Sequence, residues 1–140
     1  MEKVQTGMIT RLFKIELNEQ GDYIAIPTGN PTFYKKYYEL REQVNDLKRN
    51  ALLRCNRLKK GHGMTKEEKC IEMARVNVSF SKEAIRLLDG FFGDGTIKKY
   101  FRELYEQIPD FLPSEECFID FFGKITPVIE KLYGSMSGYQ

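Results

Sequence analysis

The stretch that most resembles a ligand loop is DGFFGDGT, residues 89–96. Its three glycines and two aspartates could cradle a phosphate or supply oxygen ligands to Ca²⁺. A phosphate loop of the Walker type needs a lysine before its Ser/Thr, but Thr96 directly follows a glycine. An EF-hand loop counted from Asp89 would place Phe91 and Tyr100 at ligand positions. The sequence therefore predicts a turn, with a glycine ending one helix and Thr96 capping the next.

Three cysteines and one histidine are the residues that could bind zinc or form a nucleophilic pair. Cys55, His62, Cys70 and Cys117 lack the closely spaced cysteine pairs of a zinc knuckle. Cys70 and Cys117 fall within predicted apolar helical stripes, where a free cysteine behaves as a small hydrophobe. His62 lies between two glycines and is predicted to be in an exposed loop. We expect neither a metal site, nor a disulfide framework, nor an activated thiolate.

Paired carboxylates occur at Glu67–Glu68 and at Glu115–Glu116. Such pairs can act as general acid and base in an enzyme. Both pairs, however, fall in the first turn of a predicted helix, where negative charge complements the helix dipole. Because no nucleophile, base and metal occur together, we expect a protein that is not an enzyme and needs no cofactor.

Charge is distributed unevenly along the chain. Residues 31–60 carry nine Lys/Arg against three Asp/Glu, whereas residues 81–140 carry seven against ten. The cations concentrate at Lys48, Arg49, Arg54, Arg57, Lys59 and Lys60. Such a run can contact nucleic-acid phosphates, or it can be a solvated face that meets the acidic C-terminal half or an acidic partner. The net charge of +2 and a pI of 8.4 favour the second interpretation, since nucleic-acid-binding domains commonly exceed a pI of about 9.

A β-hairpin is predicted over residues 9–26. Phe13, Ile15 and Leu17 alternate with charged residues, the period of a half-buried strand. The segment NEQGD has turn chemistry, and the second short strand is predicted to end at Pro27. Since a lone hairpin is marginally stable in water, its apolar face must pack on the helices.

A long helix is predicted over residues 31–60, with Asn30 as N-cap and Pro31 at the first helical position. Apolar residues recur there at alternating steps of four and three, which is the spacing of a heptad seam. The seam consists of Phe33, Tyr37, Leu40, Val44, Leu47, Ala51 and Leu58. A helix ~45 Å long with so narrow a seam should pair with another helix, in the same chain or in another.

Further helices are predicted over residues 65–134. A capping box formed by Thr65 and Glu68 starts the first of them. A break is predicted near residues 79–81, with Ser81 capping a fresh helix over residues 82–92. A third helix is predicted to start at Thr96 and to stop at Pro109. A fourth is predicted to be capped by Ser114 and kinked at Pro127. Residues 135–140 are predicted to form a frayed tail.

These features describe one domain spanning residues 1–140, mostly α, with four to five helices and a short N-terminal β-hairpin. The N-terminal segment MEKVQTGMITRLF is polar and lacks the apolar centre of a signal peptide. No apolar run approaches the ~20 residues that span a bilayer. We therefore expect a cytoplasmic protein with no membrane contact.

The order of elements resembles the small tail assembly chaperones of long-tailed, siphovirus-type phages and of prophages in Gram-positive bacteria. Three stretches carry the resemblance and together cover most of the chain: RLFKIELNEQGDYIAI, SKEAIRLLDGFFGDGTIKKYF and FIDFFGKITPVIEKLYG. The basic segment 48–60 departs from this pattern, because the family tends to be acidic.

The resemblance implies a non-enzymatic chaperone that coats the tape-measure protein during tail assembly and helps to recruit tail-tube subunits. We also expect self-association. Tyr34, Tyr38, Phe92 and Phe121 would form a partner-contacting patch if they lie outside the core; otherwise they complete it. The alternatives are a small helical nucleic-acid-binding protein that uses residues 48–60, and a minor structural adaptor of the phage particle.

Overall fold

The computed structural model describes residues 11–137 and confirms a mostly α architecture with a short N-terminal β-hairpin. The elements are β1 Arg11–Glu16, β2 Tyr23–Thr28, α1 Pro31–Lys60, α2 Lys66–Phe92, α3 Thr96–Tyr100, α4 Arg102–Gln107 and α5 Glu115–Ser137. No described helix combines the length and the apolar character that a bilayer crossing requires. The described residues do not include the first two residues of the predicted β-hairpin or residues 138–140 of the predicted frayed tail. The rest of that predicted tail is helical, because α5 continues through Ser137.

The two strands pair antiparallel, with Ile15 opposite Ile24. Leu17, Ile24 and Ile26 are buried against the helices, as the marginal stability of a lone hairpin requires. Phe13, by contrast, remains 44% exposed, so the predicted apolar face is only partly covered. The prediction that Pro27 ends the second strand is wrong, because β2 continues to Thr28. Proline is tolerated there since both strands of a two-stranded sheet are edges.

The predicted long helix is confirmed at both ends. Asn30 accepts a hydrogen bond from the Thr32 backbone N at 3.1 Å, Pro31 is the first residue of α1, and the helix ends at Lys60 with Gly61 as its C-cap. Its seam packs against α2 of the same chain, which settles the choice that the heptad spacing left open. Phe33 lies near Phe91 at one end of this pair. At the other end Lys69 donates to the Lys59 carbonyl, so α1 and α2 form an antiparallel helical hairpin.

The second helix begins as the capping box predicts, with Thr65 Oγ1 accepting from Glu68 N at 3.1 Å. It then runs unbroken to Phe92, so the predicted break near residues 79–81 is wrong. Ser81 does not cap a new helix. It is buried in the middle of α2, and its hydroxyl finds no hydrogen-bond partner among residues 11–137. Phe80, Ala84 and Leu88 share a buried face around it, and the gain from burying that face outweighs the local capping preference of serine.

The DGFFGDGT stretch is a turn, as predicted, but its cap differs from the expectation. The two glycines Gly93 and Gly95 adopt positive φ angles of 124° and 78°, which glycine alone takes without strain. Thr96 is the first residue of α3 rather than its cap, and its hydroxyl donates to the Gly93 carbonyl. Instead, the Asp89 carboxylate accepts from Gly95 N at 3.3 Å and from Ile97 N at 3.1 Å. Both aspartate oxygens therefore hold the turn together.

The single helix predicted after Thr96 is two short helices, because the backbone leaves helical geometry at Phe101. The last helix, α5, begins directly after Ser114, whose carbonyl accepts from Cys117 N at 3.0 Å, and Pro127 lies inside it. The apolar stripe of α5 is buried beneath the helical hairpin and consists of Phe118, Phe121, Ile125 and Ile129.

A polar network ties the β-hairpin to α3 and α4. Asn18 Nδ2 donates to Asp22 Oδ2 at 2.7 Å and to the Lys99 carbonyl at 2.8 Å. Arg102 Nη1 donates to the same Asp22 oxygen at 3.1 Å. These donors, Asn18 first, hold the pKa of the Asp22 carboxyl below its ordinary value of 3.8.

We expect Asp89→Ala to lower the free energy of unfolding by about 1 kcal/mol, because two backbone donors of the turn lose their acceptor. Asp94→Ala is the matched control, since Asp94 is exposed in the same turn and makes no hydrogen bond within residues 11–137. Urea denaturation monitored by circular dichroism measures both variants. Equal losses from the two substitutions would contradict the capping role of Asp89.

The lowered pKa of Asp22 predicts a stability contribution that is fully present above pH 3.8 and is lost as the pH falls through the still lower folded-state value. The urea midpoint of the wild type should therefore exceed that of Asp22→Asn near neutral pH, and the difference should shrink in acid. Glu19→Gln, which removes an exposed carboxylate from the same turn, is the control for the loss of one negative charge. A gap between wild type and Asp22→Asn that is constant with pH would refute the assignment.

Candidate partner-binding groove

Two of the four predicted contact aromatics belong to the core. Tyr34 is 2% exposed and Phe121 is 0% exposed. Tyr34 packs against Tyr133 with ring centroids 4.7 Å apart, and burial raises the pKa of its phenol. Phe121 packs against Phe92 and Tyr100. For Tyr34 and Phe121 the expectation of an exposed patch is therefore wrong, and the alternative that they complete the core is correct.

The other two aromatics differ in exposure. Phe92 is half-buried and contacts the rings of Tyr37 and Phe121. Tyr38 is 38% exposed, and the guanidinium carbon of Arg41 lies 5.8 Å from its ring centroid. The four residues do not form one surface patch, because they lie partly inside the core and on different helices.

The predicted basic residues separate into three environments. Lys48 reaches Glu115 at 3.3 Å and links α1 to α5, while Arg49 pairs with Asp46 within α1. Lys59 and Lys60 lie in the last turn of α1, where they complement the negative end of the helix dipole. Arg54 and Arg57 face a depression between α1 and α2, whereas Lys48 and Lys59 border a different one.

That depression is a groove of about 1270 Å³ between residues 47–57 of α1 and 71–86 of α2. We call it the basic groove, defined by Leu53, Arg54, Arg57, Ile71, Val78 and Lys82. It extends from the edge of the main core, at Leu47, Ala51 and Phe80, along the outer part of the helical hairpin. There the chain still buries Cys55 and Val76 between the two helices. The outer surface leaves Leu53 53%, Ile71 47% and Val78 41% exposed, so three aliphatic side chains line the groove at the surface.

Sequence reasoning identified the cations of this groove on α1 but missed its apolar floor and Lys82. One signal was available. Leu53 lies off the heptad seam, two positions beyond Ala51, so a helix that packs through its seam must leave Leu53 on the surface. For Ile71 and Val78 there was no comparable signal, because the sequence pattern of α2 does not indicate which of its faces stays exposed.

The cysteines and the histidine do not converge. Among residues 11–137 there is no cluster of three or more His, Cys, Asp or Glu side chains that could hold a metal ion. Cys55 is buried between α1 and α2, Cys117 is half-buried and Cys70 is exposed. The expectation that Cys70 packs as a small hydrophobe is therefore wrong. His62 is exposed in the loop between α1 and α2, as predicted.

The groove offers apolar and cationic contacts to a binding partner. It presents three exposed aliphatic side chains between three cationic ones, and Arg54, Arg57 and Lys82 form no ion pair with the described part of the chain.

No protein-family model, no curated protein and no solved structure matches the chain.

Thiol reactivity tests the packing of the helical hairpin. In variants that retain a single cysteine, we expect Cys70 to react with Ellman's reagent at the rate of a free thiol. Cys55 should react on the order of a hundredfold more slowly, because the two helices must separate locally first. In urea the two rates should become equal. Fast reaction of Cys55 in the native protein would show that the outer part of the hairpin is open.

Proposed function

We propose that this protein is a non-enzymatic phage tail assembly chaperone that binds the tape-measure protein and tail-tube subunits in the host cytoplasm. The observation that carries the proposal is the basic groove, which holds exposed Leu53, Ile71 and Val78 between two long helices. A groove between helices is the standard receptor for an amphipathic helix. The resemblance of the chain to tail assembly chaperones supplies the biological context.

The two ends of the helical hairpin have different surroundings. One end of the helical hairpin is fixed by α5 and the β-hairpin, whereas its other end carries the groove. A client helix that covers the half-exposed aliphatic side chains of the groove would gain about 1 kcal/mol from each. Binding of that strength is reversible for a single copy. We infer that several copies act along one tape-measure chain, where their combined binding keeps apolar segments from aggregating.

Nucleic-acid binding is the second candidate function. The observation in its favour is that Arg54, Arg57 and Lys82 have no anionic partner within the described residues. The floor of the groove argues against it, because single-stranded nucleic acid is bound by exposed aromatic rings and the exposed floor here is aliphatic. The third candidate, a structural adaptor, predicts that the polypeptide remains in purified virions.

Co-expression with a candidate tape-measure protein, a long helical chain, tests the proposal. We expect a soluble complex whose mass, from light scattering, corresponds to several copies of this protein per long chain. The double variant Leu53→Asp/Val78→Asp should reduce the recovered complex about tenfold, since it removes two aliphatic contacts and places two negative charges beside the cations that would face the client helix.

The control for this experiment is Leu12→Asp, which changes an exposed leucine on β1 outside the groove. It should leave the yield of complex unchanged. If the long protein aggregates as badly with this protein as without it, the chaperone proposal fails and the basic residues should be tested against oligonucleotides.

A further inference from the structure

We infer that the basic groove binds an acidic amphipathic helix: one apolar face flanked by Asp and Glu. The source of that helix, a tail component, rests on the proposed function. The chemistry of the helix rests on the groove alone, and the two can be tested separately.

The floor of the groove matches the apolar stripe of a helix. Ile71, Ala74 and Val78 line it from α2 at spacings of three and four, so they share one helical face. Leu53 lines it from α1. The small side chain of Ala74 allows an incoming helix to approach the backbone of α2 closely.

The walls of the groove determine the charge of the occupant. Arg75 pairs with Glu72 and Arg86 pairs with Glu83, so these two arginines are already neutralised. Arg54, Arg57 and Lys82 have no such partner in the part of the chain that the structure describes. Carboxylates beside the apolar stripe of a helix in the groove would meet Arg54 and Arg57 from α1, and a carboxylate near the end of that stripe would meet Lys82, which follows Val78 on the same face of α2. Such complementarity selects an acidic helix over a neutral or basic one.

The charge of the whole chain reinforces this selection. Residues 47–86 carry eleven Lys/Arg against four Asp/Glu, a balance of +7. The rest of the chain carries eleven against sixteen, a balance of −5. Net positive charge is therefore concentrated in the part of the chain that forms the groove, which favours the approach of an acidic segment to this end of the molecule.

The length of the groove sets the length of its occupant. From Ile71 to Arg86 the α2 side spans about 22 Å at 1.5 Å per residue, which corresponds to a helix of ~15 residues. A second copy of this protein offers no described helix that fits. The acidic helix α4 has only six residues, and the apolar stripe of α5 is already buried in its own core.

Three synthetic helical peptides of about 15 residues provide the direct test. All carry the same leucine stripe on an alanine background, and the flanking positions are Glu in one, Gln in the second and Lys in the third. Fluorescence anisotropy measures their binding to the full-length protein. We expect the Glu peptide to bind at least about tenfold more tightly than the Gln peptide, the Lys peptide not to bind, and added salt to weaken the Glu complex.

Charge-reversal variants locate the binding to the groove. Arg54→Glu/Arg57→Glu should abolish binding of the Glu peptide and create binding of the Lys peptide. Lys35→Glu/Lys36→Glu makes the same change in net charge on the exposed N-terminal part of α1 and should leave the affinity for the Glu peptide unchanged within about twofold. Circular dichroism of each variant verifies that the helices remain folded.

The inference is overturned if the three peptides bind equally, if none binds, or if the Lys35→Glu/Lys36→Glu variant loses binding as fully as the groove variant. It is also overturned if a labelled oligonucleotide binds the groove more tightly than the Glu peptide, or if groove substitutions dissociate a self-associated form. Failure here leaves the proposed function intact when the co-expressed complex is still soluble. A failed co-expression alongside selective binding of the Glu peptide would reject the proposed function instead.

Discussion

The packing of Tyr37 is the constraint on which the arrangement of the helices depends. Its side chain is fully buried, and its ring lies 6.1 to 6.3 Å from the rings of Phe91, Phe92 and Phe122. Its hydroxyl lies 2.6 Å from Thr126 Oγ1, so one residue of α1 is joined both to the end of α2 and to the middle of α5. Burial raises the pKa of the phenol, which therefore stays neutral and hydrogen-bonded throughout the ordinary pH range.

This aromatic centre lies near one end of the helical hairpin, and that position explains the uncovered groove. The main core engages α1 from Phe33 to Ala51 and α2 from Phe80 onward. Both helices continue well beyond those limits, where they pack on each other and where residues 112–116 border them on the side away from the groove. Two helices can bury only one face each when they pack as a pair, so Leu53, Ile71 and Val78 stay in contact with water. The exposed apolar patch is thus a consequence of helix length, not of imperfect packing.

Local signals predicted where most elements begin and end, because capping is decided within a few residues. Asn30, Thr65 and the glycines after Asp89 all act where the sequence places them. Periodicity predicted the seam of α1 but not Tyr34, since α5 also contacts α1 and widens its buried face beyond the seam. The groove was also hard to predict, because it depends on tertiary structure. A helix face stays open where no third element packs on it, and a local sequence pattern does not show where that happens.

The basic residues around the groove have a role even when the groove is empty. Three exposed aliphatic side chains on one surface would favour association between copies through that surface. Arg54, Arg57 and Lys82 oppose such contacts, because two identical grooves brought face to face would place unpaired cations against each other in a partly desolvated space. The same cations attract an acidic helix. The charges of the groove therefore act mainly on selectivity, excluding a second copy and admitting a helix of opposite charge, while the aliphatic floor provides the affinity.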